Sequence, residues 1–582
     1  MKVLHPLDYI VVVFYFGIVV FIGLYFGKFI KQAKDYFAAG AAVPWWLAGV
    51  SLWMASFSAM TFVIYSQLAY KFGLVAITLC WVVIPAMIAA VLWFASRWRR
   101  TRIITPLGFI EQRYSRNIHQ LFVWTGLPLR MVDNALRVFS TAVFLAVAVG
   151  QSWFTLETCI IVVGIIMILY TLLGGQWAVL VTDFFQAIIL VFAVVILVPL
   201  SLAAVGGVGS FVSRAPEGFF RLFAPSYGLF DWIMFAIMIT ISYNASWGLV
   251  QKYNCVQTEK DAKKVAIVMG ILSIIGPILF FIPAMVARVV LPELLERPGG
   301  AAEAYVAMSL RVLPIGVMGL MIAGMFSATL STLGNEYNVL SGILTKDFYG
   351  RVIRPAATDK QILFWGKINT AIIGSLTIIF AIGINYIRGF NLWDIMVKAF
   401  GAFGPAIMLP LLAGLFVKKV NSRGALFGIV VGMISGVTLV VLNTILLGVY
   451  AEQIKTDAQL SYWLKQGFNS VSIGVNILVT LIAMLIGSLV GKASDEERAR
   501  IETFFTRMDV PSDTASAAET TRKEQRSPFM AVGIALFIYG PVFLVIGLIV
   551  GGGGMVIDII TGLAMMAVGL GLWLPNRARG AA

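Results

Sequence analysis

Ala328, Ser331, Thr332, Asn335 and Glu336 are spaced i, i+3, i+4, i+7 and i+8 within the stretch FSATLSTLGNEYNVLSGILTKDFY, Phe326 to Tyr349. On an α-helix they form one polar stripe. The stretch lies in an apolar segment, and a carboxylate near mid-bilayer costs on the order of 3 kcal/mol, so the stripe must turn toward a protein interior or a watery cavity. Two chemistries are open to it. The hydroxyls can bond the carbonyl four residues back or join neighbouring helices. Alternatively, the hydroxyl and carbonyl oxygens can hold a hard, weakly bound cation such as sodium.

Two further clusters carry polar chemistry. Ser242, Tyr243, Asn244, Ser246 and Trp247 combine aromatic faces with amide and hydroxyl groups, which suits a polar solute as well as it suits ordinary interhelical bonding. In LRMVDNALRVF, Arg130, Asp133, Asn134 and Arg137 share about one helix face. Their i,i+3 and i,i+4 spacing predicts mutual neutralisation near the cytoplasmic end of a span; an arginine left partly free would instead receive a solute carboxylate bidentately.

The elements that position these groups are membrane spans. The chain has 582 residues, of which 60% are hydrophobic and only 12% charged, with mean hydropathy +0.92. That composition excludes an ordinary soluble protein. About fifteen apolar segments are long enough to cross at roughly 20 residues each, and so many require helices rather than a barrel. The net charge of +15 does not indicate nucleic acid. With the amino terminus outside, about thirty of the 43 Lys and Arg fall on one side of the membrane, which predicts a cytoplasmic carboxyl terminus.

Cys80, Cys159 and Cys255 lack metal-ligand spacing. His5 and His119 suggest no catalytic pair, and there is no GxSxG, HExxH or Walker loop, so no enzyme or ATP-driven pump is expected. The loop RWRRTRIITPLGFIEQRYSRN reads as an interfacial anchor, and residues 493–528 read as a charged cytoplasmic linker. GGGG at 551–554 predicts a tight outer turn.

Several motifs give the chain a family likeness. Asp35-Tyr36-Phe37 followed by Pro44-Trp45-Trp46, the run Gly174-Gly175 with Ala178-Val179 and Thr182-Asp183-x-x-Gln186, and Leu344-Thr345-Lys346-Asp347-Phe348-Tyr349 resemble the sodium:solute symporter family, from about residue 7 to about residue 492. Gln251-Lys252-Tyr253 resembles the family's Gln-Arg-Tyr loop, with Lys252 in place of Arg.

The resemblance implies an all-α polytopic membrane protein with a leucine-transporter-like fold: inverted five-helix repeats with flanking helices and sites where helices break. It implies a first helix and inside loop over 1–44, repeats over 45–206 and 207–420, peripheral helices over 421–492, the linker over 493–528 and two additional spans over 529–582.

It further implies a second span unwound at its middle, with sodium bound by the carbonyls of Met54, Phe57 and Ala328 and the hydroxyls of Ser331 and Thr332, and with Asp183 beneath the ion. Ala328 stands where members with a second sodium carry Ser. A cavity face formed by Ser58 and Thr61, with Tyr243, Asn244 and Trp247 opposite, would take the solute. Thr61, Cys80 and Ser273 align where galactose-binding members have Gln, Glu and Lys, which argues against a galactose-type pocket. The expectation is a sodium-coupled symporter importing a sugar, acidic sugar, carboxylate or amino acid across the plasma (inner) membrane. A proton-coupled symporter and a sensor that retains the transporter fold are the alternatives.

Overall fold

The computed structural model describes residues 4–27, 43–102, 106–150, 155–173, 176–297, 299–355, 357–386, 392–491, 493–511 and 528–577. Most of the loop before Pro44, Gly174-Gly175 and the stretch 512–527 lie outside them. Among the described residues there is no β-strand, only an isolated bridge between Ala224 and Tyr227.

Among the described residues, twelve helices are long and apolar enough to cross a membrane. The other three expected segments are present in altered form. The fifth, Leu156–Leu173, is short. The seventh is a pair, Leu229–Ala245 and Trp247–Asn254, bent by 53°. The second is broken between the helix Trp45–Met54 and the π-helical turn Thr61–Tyr65, which runs on into the helix Ser66–Phe72. The two broken spans are five apart in chain order, as two repeats of five helices require. The protein is a multi-pass integral membrane protein.

The break in the second span has a local cause. The Ser56 hydroxyl donates to the Trp53 carbonyl at 2.6 Å, and the Ser58 hydroxyl accepts from the Met60 amide at 3.2 Å. Such side-chain bonds offer the backbone an alternative to the helix ladder. Groups freed inside a membrane need new partners, and the ninth span, Val317–Ile343, supplies them. Thr329 Oγ1 accepts from the Ala59 amide at 3.0 Å.

Every residue of the ninth span is buried. It packs against the first (Pro6–Gly27), fourth (Arg116–Val149), fifth, sixth (Gln176–Ala204) and tenth (Asp359–Asn385) spans, so its polar stripe has no route to lipid. Its start is capped from outside the helix: Asp8 Oδ1 accepts from the amides of Gly316 at 2.7 Å and Gly319 at 3.0 Å. A carboxylate there satisfies orphan amides and complements the helix dipole.

Three expectations about the connections need correction. The predicted surface anchor is the helix Pro106–Arg113, but Arg113 is buried and donates to the carbonyls of Gly414, Val417 and Val420 at 2.7–3.0 Å. It caps the end of the eleventh span, Leu392–Phe416.

The stretch expected to be a linker contains a docked helix, Asp495–Asp509, whose Ile501, Phe504, Phe505 and Met508 are buried. Phe504 meets Phe109 edge-on at 5.4 Å. Four apolar residues at i, i+3, i+4 and i+7 give this charged segment a core-facing stripe. The third correction concerns Gly551 and Gly552, which have positive φ and alone turn the chain before the last helix begins at Gly552.

Candidate functional site

Thr332 Oγ1 lies 3.3 Å from the Met54 carbonyl oxygen, 2.5 Å from that of Phe57 and 3.0 Å from that of Ala328. The first two carbonyls come from the broken second span and the third from the preceding turn of the ninth. A hydroxyl has one proton, so it cannot satisfy three acceptors. The point where they converge is rich in oxygen and poor in hydrogen, which is the environment a hard cation takes. Four of the five sequence-predicted oxygen donors therefore meet.

The fifth, Ser331 Oγ, is fully buried and makes no hydrogen bond of ordinary geometry. It faces the Asp183 carboxylate. Asp183 is itself fully buried. Its Oδ2 accepts from the Ser51 hydroxyl and lies 3.9 Å from Lys252 Nζ. Lys252, with no exposed surface, also donates to Asn335 Oδ1 at 2.6 Å. Sequence reading noted Lys252 only as a replacement for arginine; its place opposite Asp183 could not be read from one chain.

Beside the oxygen cluster is a cavity of about 180 Å³. Trp53, Phe57, Tyr65, Tyr243, Phe280, Phe281 and Phe400 give it aromatic faces, and Thr61, Cys80 and Ser273 all line it. Trp53 and Phe57 meet edge-on at 4.8 Å. Of the five residues expected to meet the solute, Thr61 and Tyr243 stand in the wall and Ser58, Asn244 and Trp247 do not.

The reasons are local. Ser58 is spent on the helix break. The Asn244 amide donates to the carbonyls of Ala86 and Thr240 at 3.1 and 2.9 Å. Trp247 is buried behind the wall, where its ring lies 5.4 Å from the Arg130 guanidinium carbon.

The charged face of the fourth span also lines the cavity, through Arg130, Asp133 and Arg137. The expected Arg130–Asp133 pairing and its position near a membrane surface are both overturned. The helix starts at Arg116, where the Ser115 side chain caps it, so these residues lie near mid-span. Arg137 pairs with Asp133 at 2.9 Å, whereas Arg130 pairs with Glu336 of the ninth span at 3.2 Å and reaches Ser246 Oγ at 3.3 Å.

Arg137 spends only Nη2 on Asp133; its Nε and Nη1 are buried without a partner, as are Asp133 Oδ1, Glu336 Oε2 and Ser242 Oγ. An 18-residue offset from a predicted cap at Ser115 would have located this face at mid-membrane.

Residues 36–432 match the model of the sodium:solute symporter family. The chain belongs to that family. It is a sodium-coupled symporter of a small-molecule solute, and not an enzyme. Its relatives include the sodium/sialic acid symporter NanT of Aliivibrio fischeri, 27% identical over 440 residues, covering 73% of this chain and 86% of that one. Sodium/glucose cotransporter 2 of Rattus norvegicus is 26% identical over 479 residues, covering 74% and 71%.

Among solved structures, the substrate-bound outward-open state of a Na⁺-coupled sialic acid symporter matches with a TM-score of 0.67 at 22% identity, over 84% of this chain and 98% of that one. The shared fold is the leucine-transporter-like one, with inverted five-helix repeats and flanking helices. In such a symporter the two broken spans lie where ion and solute sites belong.

Proposed function

We propose that this symporter couples one sodium site, formed by the carbonyls of Met54, Phe57 and Ala328 and the hydroxyls of Ser331 and Thr332, to inward transport of a small polyhydroxylated acid. The observation that carries the solute class is the unused donor capacity of Arg137, whose Nε and Nη1 are buried and unpartnered in the cavity wall. Nη2 has two hydrogens, so whichever of them Asp133 takes, the other makes a two-donor edge with Nε or with Nη1, and such a fork matches a carboxylate. Asp133 Oδ1, Glu336 Oε2 and Ser242 Oγ offer hydrogen bonds to hydroxyls around it, and the aromatic faces suit the apolar side of a sugar-like ring. Sialic acid, the solute named for relatives, has this chemistry.

The repeats are assigned to 45–206 and 207–420, with peripheral helices over 421–492. Lys and Arg asymmetry orients the protein in the lipid bilayer of the plasma (inner) membrane, with its carboxyl terminus cytoplasmic, and accounts for the positive charge without nucleic acid. Sodium, held between the broken second span and the ninth, favours the state in which the cavity is formed. Solute in turn tightens sodium, by linkage. At roughly 100 mV and a tenfold gradient one sodium ion supplies about 3 to 4 kcal/mol, enough for several-hundred-fold accumulation.

Thermal-shift titration and proteoliposome uptake test the reading, with sialic acid against glucose, each in sodium and in choline. Stabilisation by the acid that is stronger in sodium is expected. Arg137→Lys keeps the charge and loses the fork, so it weakens the acid by at least about tenfold while leaving sodium dependence intact. Equal response to glucose, or an unaffected Arg137→Lys, would reject the acidic solute.

A further inference from the structure

Asp558 belongs neither to the oxygen cluster nor to the cavity wall. It stands in the second turn of the last helix, Gly552–Arg577. It is fully buried, and neither of its oxygens has a hydrogen-bond partner. Among the described residues it has no ion pair either. A carboxylate left bare in this way is costly for a folded chain.

The surroundings raise that cost. Asp558 Oδ1 lies 3.4 Å from the point a Cβ would occupy on Gly316, and the Gly316 amide donates to Asp8 Oδ1. The two carboxyl groups therefore face each other at the start of the ninth span. Asp8 is the one equipped to carry charge, because it accepts from the amides of Gly316, Gly319 and His5, and such bonds favour a carboxylate. Asp558 has none. The penultimate helix, Pro528–Val550, brings only Ile546 and Gly547 to this point, and the chain before the ninth span brings Pro314 against Gly554. The remaining titratable group beside the pair is His5, which is exposed and bonds Asp8 through its backbone amide.

We propose that Asp558 is a proton-binding site, neutral while the last two helices are docked against the first and ninth spans, and that its ionisation loosens that docking. With the charge held on Asp8, a proton on Asp558 removes both the like-charge repulsion and the cost of a bare buried carboxylate. A metal ion fits less well. Asp8 has given three of its roughly four lone-pair positions to amides, so the pair falls short of the oxygen shell that a hard cation requires.

With the amino terminus outside, this end of the spans meets the external medium, which supplies the proton. The proposal is independent of the ion and solute assignments. Its consequence is a pH-dependent stability: the folded chain holds a proton that the unfolded chain, with its carboxyl group in water, releases, so stability falls as pH rises.

The test is a series of melting curves of the purified full-length protein between about pH 5 and about pH 9, for the wild type, Asp558→Asn and Asp558→Leu. The wild type and the neutral variants should melt together at the acid end, and the wild type should fall progressively below them toward the alkaline end. Docking is read separately through Ile546→Cys in a background lacking the native cysteines, since Ile546 is buried against Gly316. An impermeant maleimide added from outside should label it several-fold faster with Asp558 than with Asp558→Asn at the alkaline end, and equally at the acid end.

A gap between wild type and variants that does not change with pH overturns the proposal. So does a gap that calcium chloride or sodium chloride closes at fixed alkaline pH when choline chloride does not, because the occupant is then a metal ion. Asp558→Leu carries the comparison if Asp558→Asn does not fold. Failure of both neutral variants to fold at any pH would mean that the charge itself is required, which also overturns it.

Discussion

Arg130 Nη1 and Glu336 Oε1 are 3.2 Å apart although 206 positions separate them in the chain, and each side chain is only 8% exposed. The pair ties the fourth span to the ninth. Ser246 and the Trp247 ring add the seventh span to the same knot. Gly248 is part of the fit, since a Cβ there would lie 2.8 Å from Glu336 Oε1. On the ninth span Glu336 is four residues beyond Thr332, about 6 Å toward the cytoplasm in the proposed orientation. In that orientation the knot would form the cytoplasmic floor of the cavity, and an inward-open state is expected to break it.

Glu336→Gln removes one charge of that floor and leaves Arg130 without its counter-ion. The expected outcome is a shift toward inward-open. Leu249 lines the cavity, so a Leu249→Cys reporter in a background lacking the three native cysteines will react with an impermeant maleimide from the cytoplasmic side. We expect Glu336→Gln to raise that rate by about tenfold, which corresponds to roughly 1.4 kcal/mol of lost closure. An unchanged rate would show that the pair is static.

At the oxygen cluster, the type of ligand decides the effect of mutation. Ser331→Ala and Thr332→Ala each delete an oxygen from a site with few replacements and should each raise the sodium concentration for half-maximal uptake by about tenfold. Met54→Leu should be mild, because the donor there is backbone. Sodium titration of uptake checks all three. Sodium dependence unchanged in both hydroxyl variants would remove the assignment, and a large loss in Met54→Leu with intact folding would show that its side chain matters.

How much of this was legible depended on whether the determinant is local. The polar stripe Ala328 to Glu336 follows from helical periodicity alone, and all of its residues are buried on one span. The break near Ser56 was expected only from the family likeness, although its local cause, the hydroxyls of Ser56 and Ser58, is in the sequence. The meeting of Thr332 with Phe57, 275 positions away, needed the family motifs, because no periodicity spans that distance.

Partner choice among charges was the weak point. Spacing alone ranks Asp133 equally for Arg130 and Arg137, and only packing of the ninth span against the fourth brings Glu336 to Arg130. Likewise Asn244 and Trp247 have solute-like chemistry, but Asn244 is spent on the carbonyls of Ala86 and Thr240 and Trp247 lies against Arg130, partners that spacing does not reveal.

The helix Asp495–Asp509 gives a prediction about stability rather than transport. Phe504 and Phe505 are 3% and 5% exposed, and Arg102 Nη2 donates to the Pro511 carbonyl at 2.8 Å just beyond the helix. Truncating a buried Phe to Ala costs about 3 to 5 kcal/mol. Phe504→Ala/Phe505→Ala should therefore release the helix and expose Arg498, Arg500 and Arg507 to trypsin. Cleavage there should accelerate well over tenfold in mild conditions, with the spans left intact. Equal protection in the variant and the wild type would mean that the docking is not held by these rings.

The remaining prediction separates charge from shape at Asp183. Asp183→Asn preserves the side-chain outline and the capacity to bond Ser51, but it leaves the ammonium of Lys252 buried beside neutral groups. Breaking a buried ion pair by removing one partner typically costs about 3 to 5 kcal/mol, because the other charge stays desolvated. The single variant should therefore melt below the wild type, and adding Lys252→Met should restore much of the loss, since two neutral side chains have no charge to compensate.

Transport separates a second role. Asp183 faces Ser331 but does not line the cavity, so in the double variant solute affinity at saturating sodium should change by less than about threefold, or roughly 0.6 kcal/mol. Turnover should slow, because the carboxylate no longer lowers the electrostatic cost for an ion leaving the midplane. Normal turnover in a folded double variant would reduce the Asp183–Lys252 pair to a structural element, and collapse of solute affinity at saturating sodium would place Asp183 in the solute pocket.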